Sequence, residues 1–574
     1  MAKASVAGYC QDPAGPATDP PGSGRTQHLL SRQHHCEYHH NDGARTDPGA
    51  RRAHRKPGTV GRGHCLALRS VPGNDAAALD SPYWFPPLSR TTASPNRLAS
   101  GDAAPGFWIA AGVILLVGSG LRFYGITRES AWVDELWTLS LTDPGLSLSE
   151  FWRRLLNDVH PPLYFLLMRE WAGMFGQSDL AARLPSTICS VLMVAAGVMA
   201  PLSRLGRLAL MALLATSPGA VEYAQEARSY AMLMLLAALL TVLCAKIVAG
   251  PFEHRDSLAN LAGLTVAGII ASYTHHFGFL LAFAAGGVVF AARRNWRTGL
   301  GLAAITASFL CWLVYDSRYL ISAPPEAVTW IATFPLSATG AWFTRLWLGD
   351  SRSLLALGIF AATLFATPRF RRIAQHHQVL AVGAVLAVMT AAEAAIISWR
   401  VPIFGARNLL VVLPALYLMI AALVDDAASL SSVAGAVGVA VLLVLMWPSL
   451  GWQYTGQSKE QWREPAAFIL AQPGCAKGPI YVYGDKTPYK YLVGKTRPEL
   501  QLVEIPSGKV AATRSQPAGD CPIALWAGKI SPDEFAEMLS QLPPLSASCR
   551  KVREFYWAFV VMRDPDDDNC REIP

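Results

Sequence analysis

Apolar and polar positions divide this 574-residue chain into three stretches of different texture. Residues 1–104 show no sustained apolar period and are rich in Arg, His, Pro, Gly and Asp. From 105 to 450, apolar runs recur near the roughly 20 residues needed to cross a hydrocarbon core. They fall at 106–124, 183–203, 207–223, 229–249, 258–274, 277–292, 299–316, 353–367, 378–398, 408–424 and 432–450. Residues 451–574 are polar again, punctuated by Pro and Gly. Apolar stretches there, such as Ile480-Tyr481-Val482-Tyr483 and Phe555-Tyr556-Trp557-Ala558-Phe559-Val560-Val561, read as strands. The pattern predicts a polytopic α-helical membrane protein of about 11 transmembrane helices. A small C-terminal α/β or α+β domain follows it. The first 104 residues read as a disordered extension or as sequence upstream of the true start, and take no part in the fold argument.

Composition agrees with a bilayer protein: 52% of residues are apolar and 16% charged, where a soluble chain carries about a quarter charged. The net charge of +8 is spread out and makes no case for a nucleic-acid partner. Its use lies in orienting loops and meeting anionic lipid headgroups. Arg204 and Arg207, Lys246 and Arg255, Arg293, Arg294 and Arg297, and Arg369, Arg371 and Arg372 all follow even-numbered runs. The short opposite loops at 224–228 and 275–276 carry almost no positive charge. The positive-inside rule therefore places the start of the bundle in the cytoplasm of a cell with this protein in its inner (plasma) membrane. Asp134 and residues 451–574 then lie outside. Asp425-Asp426 departs from the rule, being assigned to the cytoplasmic side with no basic neighbour.

Four cysteines of the outward region, Cys475, Cys521, Cys549 and Cys570, predict two disulfides in one of three connectivities. Cys189, Cys244 and Cys311 lie inside apolar runs and read as inert core residues. His34-His35-Cys36-Glu37-Tyr38-His39-His40 lacks the paired ligand spacing of a zinc finger.

The notable polar clusters all fall on the outward side. Asp134-Glu135 stands among Trp132, Leu136 and Trp137, whose rings belong at headgroup level and would partly desolvate the acids. Desolvation makes a carboxylate a better base near neutral pH; the bland alternative is a solvated acid pair in a loop. The segment His160 to Gly176 is too short to span. It reads as an amphipathic helix in the outer interface, its start set by Pro161-Pro162. His160 is either an interfacial cap or a phosphate contact. Glu226, Arg228 and Tyr230 occupy a tight outward connection, where Arg228 either grips a phosphate or closes an ion pair with a Glu. His275 and His276 invite a metal reading, but adjacent helical positions point apart, so substrate contact is the stronger reading. Arg407, before an apolar run, either snorkels from a helix end or captures a lipid phosphate. No Walker loop and no dinucleotide glycine fingerprint is found, so energy or an activated group must arrive another way, and a lipid-phosphate-linked donor entering from the bilayer would fit.

Six segments, in order, resemble the polyprenyl-phosphate-sugar-dependent glycosyltransferases of the GT-C group. This is the group of glycosyltransferase family 39, the protein O-mannosyltransferases and the aminoarabinose transferases. The segments are Trp132-Val133-Asp134-Glu135, His160-Pro161-Pro162-Leu163-Tyr164, Ala182-Arg183-Leu184-Pro185-Ser186, Gln225-Glu226-Ala227-Arg228-Ser229-Tyr230, Tyr273-Thr274-His275-His276 and Arg407-Asn408-Leu409. Trp462-Arg463 echoes a segment that opens the outer domain. Two departures are His160, where the aminoarabinose transferases carry Lys, and Asn408, where Tyr is common.

The resemblance implies a GT-C catalytic domain over 105–450, with interfacial helices in its first outer loop, and an extracytoplasmic domain over 451–574. It implies transfer of a sugar from a polyprenyl-phosphate donor to a lipid, protein or polysaccharide acceptor at the outer face, with inversion. Asp134 would be the base and Glu135 would orient it or contact the acceptor. His160, Arg228 and Arg407 would hold the lipid phosphate, with Glu226, Tyr230, His275 and His276 around the substrate. No redox cofactor and no metal ligand is assigned, and a divalent metal stays open. The rival reading is a lipid-linked sugar flippase without transferase activity. Against it, Glu393 is the conspicuous acid inside a run and no internal repeat is visible.

Overall fold

The computed structural model describes residues 105–251, 255–320, 345, 347, 349, 351–368, 374–400, 403–472, 475, 479–494, 496–505, 523–541 and 550–563. Residues 1–104, with their His-rich stretch, lie outside them, as do Cys521, Cys549 and Cys570. The first apolar helix is α1 (Pro105–Phe123). The loop after it carries α2 (Val133–Leu141), α3 (Leu148–Leu155) and α4 (Leu163–Phe175). Then come α5 (Asp179–Ala196), α6 (Arg204–Thr216), α7 (Pro218–Glu222), α8 (Tyr230–Ala249), α9 (Arg255–Thr274) and α10 (His276–Arg293). The helical part closes with α11 (Trp296–Leu320), α12 (Ser351–Ala366), α13 (Ala374–Ser398), α14 (Leu413–Leu430) and α15 (Ser432–Thr455). Nine helices among the described residues are long and apolar enough to cross a membrane, so the chain is a multi-pass membrane protein.

Two of the eleven expected spans are helical but shorter. The run 207–223 stops as α6 at Thr216 because Ser217 precedes Pro218, and a residue before proline is driven out of the α region. The carbonyls freed at that end are taken by Arg122 of α1, which donates to Leu214 and Ala215 at 2.9 and 2.8 Å and to Ser190 Oγ at 2.7 Å. The run 353–367 forms the 16-residue α12.

α8 and α14 are buried along most of their length, while α1, α13 and α15 present side chains such as Leu116, Val388 and Val444 outward. A bilayer solvates such apolar faces and demands that backbone groups pair within the helices. α9 and α10 are joined through His275 alone, and Gly278 makes this turn feasible, since any side chain there would strike the Ala271 carbonyl. At the opposite end of the bundle, Asp425 and Asp426 are not loop charges at all. Both are buried within α14, and Asp425 accepts from the Ser203 backbone N–H at 2.9 Å and from its hydroxyl, at the N terminus of α6. Cys244 is a buried core residue as expected, whereas Cys189 is half-buried and Cys311 is exposed.

After α15 come α16 (Arg463–Leu470), β1 (Pro479–Tyr483), α17 (Thr487–Gly494), β2 (Gln501–Ile505), β3 (Ile523–Gly528), α18 (Pro532–Gln541), β4 (Arg550–Phe555) and β5 (Ala558–Arg563). The strands form one mixed sheet in the order β2-β1-β3-β5-β4. β1 runs parallel to β2 and β3, and β5 antiparallel to β3 and β4. Phe555–Val561, expected as one strand, is the β4–β5 hairpin, with Tyr556-Trp557 as its turn and Trp557 in the left-handed region at φ 54°. Cys475 is disulfide-bonded.

One face of the sheet does not close on itself. Ala131, Val133 and Leu136 of the loop after α1 are buried in the same cluster as Trp462, Ile469, Tyr489, Trp526 and Val560. The loop that bears Asp134 is thus a component of the C-terminal core.

Candidate active site

α2 begins at Trp132 in extended backbone, and the Glu135 side chain reaches back to accept from the Trp132 N–H at 3.4 Å. This is half of the reciprocal arrangement that terminates many helices. It sends Glu135 inward, where it is 1% exposed. Arg183 grips it with two bonds of 2.8 Å, Lys459 approaches to 3.3 Å, and the Ala227 N–H donates at 2.8 Å. Burial alone would raise this carboxyl; Arg183 and then Lys459 overrule it and hold the group at about 2. Arg183 also donates to the carbonyls of Ile126, Glu129 and Ser130, fastening the loop before α2. Its place on α5 is set up by Pro185, which cannot donate to the Ala181 carbonyl; the Trp171 indole does so instead at 2.8 Å.

Asp134, one residue earlier, has a different environment. Its Oδ2 accepts from Arg407 at 2.7 Å, with side-chain exposures of 20% and 41% for acid and guanidinium. Arg407 lies over the Trp132 ring, 4.9 Å from its centroid. Asn408 closes the Arg407 loop by donating to the Ile403 carbonyl at 2.8 Å.

Arg228 completes the group from the connection between α7 and α8. Its Nη1 donates to the Asp134 carbonyl at 3.4 Å and to Thr138 Oγ1 at 3.2 Å, and its Nη2 lies 3.4 Å from His160 Nε2. None of these partners is a carboxylate, and no carboxylate among the described residues is within ion-pair distance. Its Nε is buried without a partner. Burial works against the charge, but Asp134, Tyr230 and Asp158 nearby keep the guanidinium above its ordinary value.

His160 packs between Arg228 and Asp158, whose Oδ1 is 2.7 Å from Nδ1. The arrangement that satisfies both contacts has Nδ1 donating to Asp158 and Nε2 accepting from Arg228. His160 therefore orients Arg228, and its ring is tied from both nitrogens. His275 caps α10, its Nδ1 accepting from the Phe277 N–H at 3.2 Å. Burial pushes this imidazole well below its usual range. It is neutral with its proton on Nε2, and that N–H is buried without an acceptor. Its ring sits 5.4 Å from that of His160 and 5.6 Å from that of Tyr230. The Tyr230 hydroxyl is within electrostatic reach of both Arg228 and Arg407.

No family model and no curated protein matches this chain by sequence. Solved structures resemble it at low sequence identity. One is ArnT from Cupriavidus metallidurans bound to undecaprenyl phosphate, at 14% identity over 79% of this chain and 97% of that one, with a TM-score of 0.46. Another is the Archaeoglobus fulgidus oligosaccharyltransferase in complex with Zn and sulfate, at 11% identity over 68% and 62%, with a TM-score of 0.40. The S. cerevisiae protein O-mannosyltransferase Pmt1-Pmt2 complex bound to the sugar donor matches at 14% identity over 43% and 38%, with a TM-score of 0.29. All three are GT-C glycosyltransferases.

Of the residues singled out in the sequence, Asp134, His160, Arg228, Tyr230, His275 and Arg407 converge. Three do not serve as expected. Glu135 has no oxygen left for an acceptor and is the keystone beneath the site. His276 approaches the Val159 carbonyl at 3.0 Å and so tethers the loop that carries His160. Glu226, expected among the donor contacts, is a buried acid 3.5 Å from Lys459, and a carboxylate would repel a phosphate. Burial pushes the Glu226 carboxyl up to about 7 against the pull of Lys459. Among the described residues no group of His, Cys, Asp and Glu side chains is arranged to hold a metal ion. Asp158 and Lys459 stand outside the residues singled out in the sequence, and Arg183 appears there only within its motif segment, without a role. Arg183 carried a signal, an arginine opening an apolar run beside a proline; Lys459 reads in sequence like any solvated linker charge.

Proposed function

We propose that this chain is a membrane glycosyltransferase that moves a sugar from a polyprenyl-phosphate donor to an acceptor at the outer face of the cytoplasmic membrane. The observation that carries the reading is a pair of buried N–H donors with no acceptor, Arg228 Nε and His275 Nε2, beside a carboxylate held by an arginine. Buried donors left unpaired are costly. A phosphodiester anion entering between them would satisfy both and would supply Arg228 with a counterion, its charge growing as the sugar leaves. The catalytic part would be 105–450, with 451–574 outside as its cover. The oriented loops support this placement.

In this reading the donor phosphate draws Arg407 off Asp134, and the freed carboxylate takes the proton of the acceptor hydroxyl. The acceptor oxygen attacks the anomeric carbon as the bond to the phosphate oxygen breaks. The electron pair leaves with the lipid phosphate, whose growing charge Arg228, Arg407 and the His275 N–H stabilise. One in-line displacement inverts the anomeric centre. The test is Asp134→Asn in protein reconstituted with a polyprenyl-phosphate sugar. Turnover should fall by at least about a hundredfold, as for loss of a general base, with the unfolding midpoint unchanged. Wild-type turnover would overturn the assignment.

A further inference from the structure

Residues 456–463 lie as a strap between α15 and α16, laid along the first outer loop. Ser458 donates to Glu129 through its N–H at 2.8 Å and its hydroxyl at 2.7 Å. The N–H groups of Trp462 and Arg463 both donate to Ser130 Oγ at 3.0 Å, and Arg463 pairs with Asp179 at 2.7 Å. Between these anchors Lys459 is turned inward. It is buried, 3.3 Å from Glu135, 3.5 Å from Glu226 and 3.1 Å from the Gln225 carbonyl. Those contacts bracket the segment that ends in Arg228, which is pinned from below by Ala227 N–H on Glu135 and by Ser186 on the Arg228 carbonyl at 3.1 Å. Arg183 already neutralises Glu135. Among the described residues the second carboxylate, Glu226, has Lys459 as its one ion-pair partner, with Arg407 acting from further off, and its other oxygen is buried without a partner.

We infer that Lys459 is a positioning residue for the transfer: a cation supplied by the C-terminal strap that clamps Glu226 and the Gln225 carbonyl, and thereby sets Arg228 against Asp134. The inference rests on the function proposed above and adds a residue to its machinery from outside the six motif segments. Removing the cation strands Glu226 as an unpaired buried acid two residues from Arg228, which moves the phosphate donors rather than abolishing them. Full-length protein in nanodiscs, titrated with undecaprenyl phosphate alone, tests it. Lys459→Met should weaken binding per folded molecule on the order of tenfold, the scale of coupling between contacting groups. Lys459→Arg should bind nearly as wild type. Lys459→Met/Glu226→Gln, with no acid left to strand, should fold and recover most of the affinity. Unchanged affinity in Lys459→Met overturns the inference alone, as does a loss that the double variant fails to repair. If Lys459→Met does not fold, a folded double variant with restored binding sustains the clamp, and one with binding still lost overturns it. A wild-type protein that does not bind the lipid phosphate overturns the proposed function and this inference with it.

Discussion

The two sides of the first turn of α2 show what separates support from site. On the Glu135 side the pocket is saturated: a bidentate arginine, a lysine and two backbone N–H groups surround one carboxylate. On the Asp134 side the same chemical group meets one half-exposed arginine, next to a second guanidinium and an imidazole with donors to spare. Two adjacent acids of like intrinsic chemistry thus have opposite fates. A saturated buried acid can hold a loop but has nothing to offer a substrate, whereas an undersaturated cluster stores the capacity to bind one.

The contrast breaks most visibly at Glu135. Glu135→Gln strands the Arg183 guanidinium in a buried pocket, and breaking a buried pair costs about 3–5 kcal/mol. The variant should show a strongly lowered unfolding midpoint in detergent or fail to accumulate; a wild-type midpoint would erase the distinction between the two sides. Asp134→Asn should do the reverse, abolishing transfer without touching the midpoint.

Arg228→Lys sharpens the donor side. A lysine offers a point charge and cannot reproduce three donors in a fixed fork, so lipid-phosphate binding should weaken by roughly tenfold. Arg407→Lys should fall less, because its guanidinium is more exposed and already divides its charge with Asp134. Donor titration and single-turnover rates on both variants check the order.

The smallest effect concerns Glu226. Its carboxyl stands at about 7 when folded, against an ordinary 4.5, through burial, with Lys459 and Arg407 lowering it and Glu135 and Glu222 raising it. A group raised on folding contributes stability below its unfolded value and loses that contribution as pH rises through the folded one. Glu226→Gln should therefore gain on wild type as pH rises from about 4.5 to about 7, and the gap should close below that window. Parallel thermal melts at pH 5 and pH 8 measure it; a pH-independent gap would mean that Glu226 does not titrate there.

The membrane fold was legible because periodicity over a whole span survives local detail. What escaped was local: Pro218 ends a helix inside an apolar run, and Tyr556-Trp557 turns inside an apolar strand. At the site, composition and position brought out Asp134, Arg228, His160 and His275. They named Asp134 the base and Glu135 its orienting or acceptor-contacting partner, but not the inward, saturated place of Glu135, which depends on which way a helix start rotates its first residues. Nor could they divide His275 from His276, which the turn at Gly278 sends to different partners. Lys459 was invisible because its meaning lies wholly in carboxylates that are distant in the chain.

The span of those contacts has a consequence for biogenesis. Glu135 waits for a lysine 324 residues further on, and the Trp462 N–H reaches Ser130 across 332 residues. The loop after α1 keeps Ala131, Val133 and Leu136 without their C-terminal partners until residues 462–560 have been made. On the function proposed above, a chain interrupted before the strap would lack the Lys459 and Trp462 contacts to Glu135 and Ser130, and it should be inert.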